Sequence, residues 1–169
     1  ATSHLKTLIA AAIVFAAFPT KAATFLVDFG SVITNPVDGI TWNNFTGTAS
    51  GASLLDLKDV NGVSFPYDLT YTGGVTLNSV ADNSVDAVLG VTPAPFNQYS
   101  VIRDSYYRDV PVTFRISQLD PELTYEFTFY AFVSRGDSRR TNFTIGGSTV
   151  SLEPANTASG GKGGTATIS

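Results

Sequence analysis

TYEFTFYAFV, residues 124–133, decides the fold class. In an extended chain successive side chains point to opposite faces, so Tyr125, Phe127, Phe129, Ala131 and Val133 share one side. That set is apolar apart from one phenol hydroxyl, and it is expected to face a core between two sheets. Glu126, Thr128, Tyr130 and Phe132 share the other side. This mixed face places Tyr130 and Phe132 either under a covering loop or on a partly exposed aromatic shelf, beside the charged tip SRGDSRR at residues 134–140.

Outward from this strand the pattern repeats. Val112, Phe114 and Ile116 alternate in the same way, and LDPEL at residues 119–123 supplies a Pro-containing turn between two antiparallel strands. Ile145-Gly146-Gly147-Ser148 reads as a tight hairpin joining strands at residues 141–145 and 148–153. Further short runs bounded by Gly, Pro, Asn and Asp fall at 24–29, 52–57, 65–72, 75–79 and 165–169, and no long helical periodicity interrupts them. The expectation is an all-β domain, an antiparallel β-sandwich of jelly-roll type. Residues 81–108 form a long irregular connection, of the kind that lies across one end or one face of such a domain.

The two ends differ in kind. Residues 1–22 carry His4 and Lys6, then an uncharged apolar run from Leu8 to Phe18, then Pro19 and small residues. This is the layout of a secretory signal peptide, and the run is too short to span a bilayer as a helix, which takes about 20 residues. The sequence therefore predicts an export signal over 1–22 and a β-domain over 23–169, secreted or held at a cell surface. At the other end TATIS follows the Gly-rich stretch 157–164 and reads as an interrupted strand. The expectation there is a domain lacking its last strand or strands, with membrane attachment only through the signal segment or a missing C-terminal anchor.

Charge and composition narrow the function classes. The whole chain has a net charge of −4, and loss of Lys6 and Lys21 with the signal leaves eight basic against fourteen acidic residues, a charge of −6. Phosphate backbones demand clustered positive charge, so nucleic acid is not an expected partner. Cys is absent and the single His lies in the signal segment, which removes Cys-His, Ser-His-Asp and His-metal chemistry from the rest of the chain. Paired carboxylates for glycoside hydrolysis stay open but have no recognisable spacing. The expectation is a non-catalytic module.

Two candidate sites stand out. The first joins Trp42, Tyr106, Tyr107 and Tyr130 with Arg135, Asp137, Arg139 and Arg140. Sugar recognition takes a flat apolar platform and fixed polar groups for hydroxyls, and Tyr106 and Tyr130 are the expected stacking surfaces with Arg135, Asp137 and Arg139 as polar partners. The competing reading makes Trp42 a core plug and the arginines ordinary ion-pair partners at a strand tip. Arg135-Gly136-Asp137 also matches a short adhesive tripeptide, but a polar turn explains it as well. The second site is DLKDVNG, where Asp56, Asp59 and Asn61 offer oxygen ligands for a structural calcium. The alternative is a solvated turn ending at Gly62.

FLVDFGS at residues 25–31, TWNNF at 41–45, VIRDSYY at 101–107 and residues 114–147 together resemble secreted bacterial β-sandwich domains of the galactose-binding-like type. Such domains occur in cell-surface proteins and beside carbohydrate-active enzymes. The resemblance implies a non-catalytic module binding a glycan or other surface polymer. A structural or spacer domain of the envelope is the alternative, and a hydrolase of esters or glycosides a more distant one.

Overall fold

The computed structural model describes residues 7–8, 12–18, 23–36, 38–79, 94–108, 110–132, 140–152 and 163–168. Along the chain these form β1 (Thr7–Leu8), β2 (Ala12–Phe18), β3 (Ala23–Phe29), β4 (Asn43–Phe45), β5 (Ser53–Leu54), β6 (Asp68–Thr72) and β7 (Thr76–Ser79). A short helix α1 (Tyr99–Arg103) precedes β8 (Asp104–Arg108), β9 (Thr113–Ser117), β10 (Thr124–Phe132), β11 (Thr141–Ile145), β12 (Ser148–Leu152) and β13 (Gly163–Ile168). The domain is all-β. Among the described residues the strand pairs are antiparallel except β3 with β4, which run parallel.

The largest sheet has five strands in the order β13-β10-β2-β3-β4, and three-stranded sheets β5-β6-β9 and β1-β8-β7 and the hairpin β11-β12 complete the described strands. The hairpin turns where the two glycines were expected to turn it. Gly146 and Gly147 have φ of 56° and 89°, left-handed angles that a residue with a Cβ adopts only at a cost. Before β10, Asp120 closes the turn onto the strand. Its carboxylate accepts from the Glu122 amide at 2.9 Å, its carbonyl accepts from the Leu123 amide at 3.2 Å, and its own amide donates to the Tyr125 hydroxyl at 2.8 Å.

The alternation of β3 divides the interior in two. Phe25, Val27 and Phe29 enter a large cluster with Phe45, Leu57, Tyr67, Leu69, Tyr71, Tyr106, Phe129, Ala131 and Leu152. This cluster joins the five-stranded sheet to β5-β6-β9, and rings interlock through it. Phe29 lies 5.1 Å from Phe114, 5.7 Å from Tyr106 and 5.8 Å from Phe45. Leu26 points the opposite way, into a smaller cluster with Trp42, Phe96, Val101, Ile102 and Tyr130. The same division runs along β10, where Phe129 and Ala131 face the large cluster and Tyr130 the small one. Of the expected inward face, Tyr125 and Phe127 are half-buried and pack against the large cluster.

Two hydrogen-bonding details fix the frame. The Tyr106 hydroxyl lies 2.6 Å from both the Phe45 and the Gly47 carbonyl oxygens, which share its single proton, and Tyr71 donates to the same Gly47 oxygen at 3.0 Å. A Cβ at Gly47 would stand 2.6 Å from the Ala52 Cβ, so glycine is demanded there by space. The second detail is the position of Ala12–Phe18. This segment, which the sequence assigns to an export signal, is paired in the intact chain with β10 on one side and β3 on the other.

Candidate functional site

The consecutive amides of TWNNF build the site's foundation. Asn43 is buried and clamps a loop onto the sheet: its Nδ2 donates to the Leu26 and Lys58 carbonyls at 3.0 and 2.7 Å, and its Oδ1 accepts from the Lys58 amide at 2.8 Å. Asn44 clamps a different one. Its Oδ1 accepts from the Thr34 amide at 2.7 Å and its Nδ2 donates to the Thr34 carbonyl at 3.1 Å, so the side chain pairs with a single backbone residue as a neighbouring strand would.

Thr34, held in this way, is buried together with Asp28 of β3. Its hydroxyl donates to Asp28 Oδ2 at 2.6 Å and lies 2.6 Å from the hydroxyl of Ser100 on α1. A carboxylate, two hydroxyls and a carboxamide thus converge where the loop after β3 meets α1. Ser100 is half-buried at the outer end of this row. The residues just before the two hydroxyl carriers are exposed apolar ones, Ile33 at 59% and Tyr99 at 37%. Ser31, Asn35 and Asn97 are exposed along the same two segments. Chemically these two segments carry an exposed phenol and an exposed aliphatic side chain, with the Ser100 hydroxyl as the outer member of a row whose Thr34 and Asp28 are buried.

The expected aromatic shelf is corrected by burial. Tyr106 and Tyr130 are both wholly buried, Tyr106 as a hydroxyl donor inside the large cluster and Tyr130 under Phe96, which stacks on it at 5.1 Å and 11°. Neither presents a ring face to a ligand. Of the two arrangements open for Tyr130, the covered one is present, because the irregular connection before α1 lays Phe96 across it. Trp42 is a core residue, edge-on to Phe96 at 6.4 Å. Arg135, Asp137 and Arg139 lie outside the described residues; Arg140 is exposed just before β11.

The calcium expectation meets a different geometry. Asp59 is buried; its Oδ1 accepts from the Asn61 and Val63 amides, each at 2.9 Å, and its Oδ2 from the Asn61 side-chain amide at 3.2 Å. The carboxylate therefore organises its own turn, and Asn61 turns a nitrogen toward it. Asp56 is exposed with φ of 52°, and its amide donates to Asp68 Oδ1 at 3.1 Å. Among the described residues no group of three or more His, Cys, Asp or Glu is placed to hold a metal ion. The loop is a docked turn, and the Val60 amide bonds to the Thr24 carbonyl at 2.8 Å to seat it against β3.

Sequence reasoning missed Tyr99 and Thr34. The signal for Tyr99 lay in NQYS, residues 97–100, an aromatic among amides and a hydroxyl inside an irregular connection. Thr34 had no local signal, since its partners are 6, 10 and 66 residues away in the chain. No protein-family model matches the chain, and comparison with curated proteins and with solved structures finds no significant match.

Proposed function

We propose that this chain is a non-catalytic β-sandwich module, acting outside the cytoplasm, that binds a carbohydrate or a similar polyhydroxylated surface polymer. The observation that carries the reading is the exposed Tyr99 followed in the chain by Ser100, whose half-buried hydroxyl ends the row formed with Thr34 and Asp28. A sugar buries an apolar ring face and satisfies its hydroxyls on polar groups that are already oriented, and here Tyr99 offers the ring and Ser100 the oriented hydroxyl. The sandwich reading is supported by the large cluster shared between two sheets, and the extracellular placement by the signal-like first 22 residues. The galactose-binding-like resemblance rests on the patterned stretches alone.

A spacer domain of the envelope is the second reading. It is favoured by the use of Trp42, Tyr106 and Tyr130 as interior packing, which leaves few rings for a ligand. A glycan array on the full chain, followed by calorimetric titration of the hits, separates the two. The expected outcome is a dissociation constant tighter than about 1 mM, weakened roughly tenfold by Tyr99→Ala through loss of the stacking surface, with Leu55→Ser unchanged as a control at a distant exposed apolar position. Absence of any hit, or equal binding by Tyr99→Ala, gives the lead to the spacer reading.

A further inference from the structure

β2 has two characters at once. AIVFAAF is an uncharged apolar run with the composition of an export signal, and it is also the middle strand of the largest sheet. Seven residues pair with β10, from Thr124↔Phe18 to Tyr130↔Ala12, and six with β3, from Ala12↔Asp28 to Ala17↔Ala23. The composition suits the place. Clusters lie on both faces of the flanking strands, so apolar residues suit both faces of a strand between them, and the exposed Thr124 and Glu126 of β10, opposite Phe18 and Ala16, mark where that cover ends. Val14 packs against the small cluster that contains Leu26 and Tyr130.

β3 and β10 both run antiparallel to β2, so they run parallel to each other with one strand's width between them. Two strand spacings amount to roughly 9.5 Å, too far for β3 and β10 to pair directly. Each would present a row of backbone N–H and C=O groups toward that gap, which templates the addition of a strand. Among the described residues β1, which precedes β2, makes the pairs Thr7↔Arg108 and Leu8↔Tyr107, and four residues separate β2 from β3 in the sequence.

We propose that the place between β3 and β10 is a strand-acceptor site, occupied in the intact chain by Ala12–Phe18 and able to receive in its stead an extended, uncharged apolar peptide antiparallel to both strands. Removal of the first 22 residues on export would be the event that vacates it. This inference rests on the export reading of residues 1–22 and is independent of sugar binding. Recognition comes from two ladders of main-chain hydrogen bonds, and selection against charge comes at Val14, which pairs with the buried Leu26 and packs against the small cluster.

The test starts from the folded 169-residue chain with a specific protease site replacing residues 19–22. After cleavage, a fluorescent synthetic peptide with the sequence of residues 12–18 is added in excess, and its uptake is followed by anisotropy and by hydrogen exchange of β3 and β10 amides. Expected are saturable uptake, continued protection of both strands, and binding weakened at least roughly tenfold for the peptide carrying Asp in place of Val14. The same exchange with the uncleaved chain is expected to be far slower. Cleaved protein that keeps both strands protected yet takes up no peptide, or that takes up the Asp peptide equally well, overturns the proposal. Cleaved protein that unfolds and is not restored by the peptide overturns it too.

Discussion

The two clusters on opposite faces of the five-stranded sheet are built by different means. The large one is made by strands meeting strands: Phe25, Val27 and Phe29 of β3, Leu69 and Tyr71 of β6 and Phe129 of β10 arrive by simple alternation. The small one is made by a strand face meeting a loop and the short helix α1, with Phe96, Val101 and Ile102 packed with Leu26 and Tyr130. Polar groups separate them further. Inside the large cluster the phenol hydroxyls bond to backbone carbonyls at Phe45 and Gly47, whereas beside the small one Asp28, Thr34 and Ser100 form a row that reaches toward the surface. The first arrangement is suited to holding a fold and the second to displaying chemistry.

If that division is right, truncation should be felt unequally. Phe29→Ala removes a wholly buried ring with Phe45, Tyr106 and Phe114 around it, and is expected to cost about 3–5 kcal/mol in urea denaturation. Phe96→Ala should cost about 3 kcal/mol, at the low end of that range, because the irregular connection can settle onto Tyr130 where interlocked strands cannot. It should also make Tyr130 accessible to solvent quenchers of its fluorescence. Equal urea midpoints for the two variants would erase the distinction between a rigid and an adaptable face.

Smaller effects sharpen the comparison. Thr34→Val keeps the shape but withdraws the hydroxyl from Asp28 and Ser100, and a buried acceptor losing its donor costs about 1–3 kcal/mol, read from thermal unfolding. The smallest effect concerns alkaline pH. Burial, then the hydrogen bond and charge of Tyr125 and the charge of Asp120, push the Tyr67 phenol above its ordinary value of 10.0. The folded chain therefore keeps this proton at a pH where the unfolded chain has released it. The associated stability is whole below pH 10.0 and is lost as pH rises from there through the raised value. Tyr67→Phe is expected to flatten that part of the alkaline decline in melting temperature and to leave the neutral region unaltered in slope.

Strand positions were legible wherever a local period carried them. Residues 141–145 and their glycine turn, the long strand from Thr124 and the strand before Phe29 all follow from alternation and turn chemistry, which act over a few residues. Ala12–Phe18 was not legible as a strand, because an unbroken apolar run fits an export signal and a doubly covered strand alike, and periodicity cannot separate the two. The candidate site was mostly hidden. An aromatic on the mixed face of a strand is open to solvent or covered depending on what a distant loop does, and for Tyr130 that loop brings Phe96.

By itself the sequence determined an acidic, cysteine-free, all-β chain with its turns in place, because composition and short-range sterics suffice for those properties. Only the tertiary structure decided which rings are core and which are surface. It buried Tyr106 and Tyr130, left Tyr99 exposed, and joined Asp28, Thr34, Asn44 and Ser100. The physical reason is that burial and hydrogen-bond partnership belong to pairs of residues brought together by chain topology, and a separation of 66 positions between Thr34 and Ser100 leaves no local trace of their meeting.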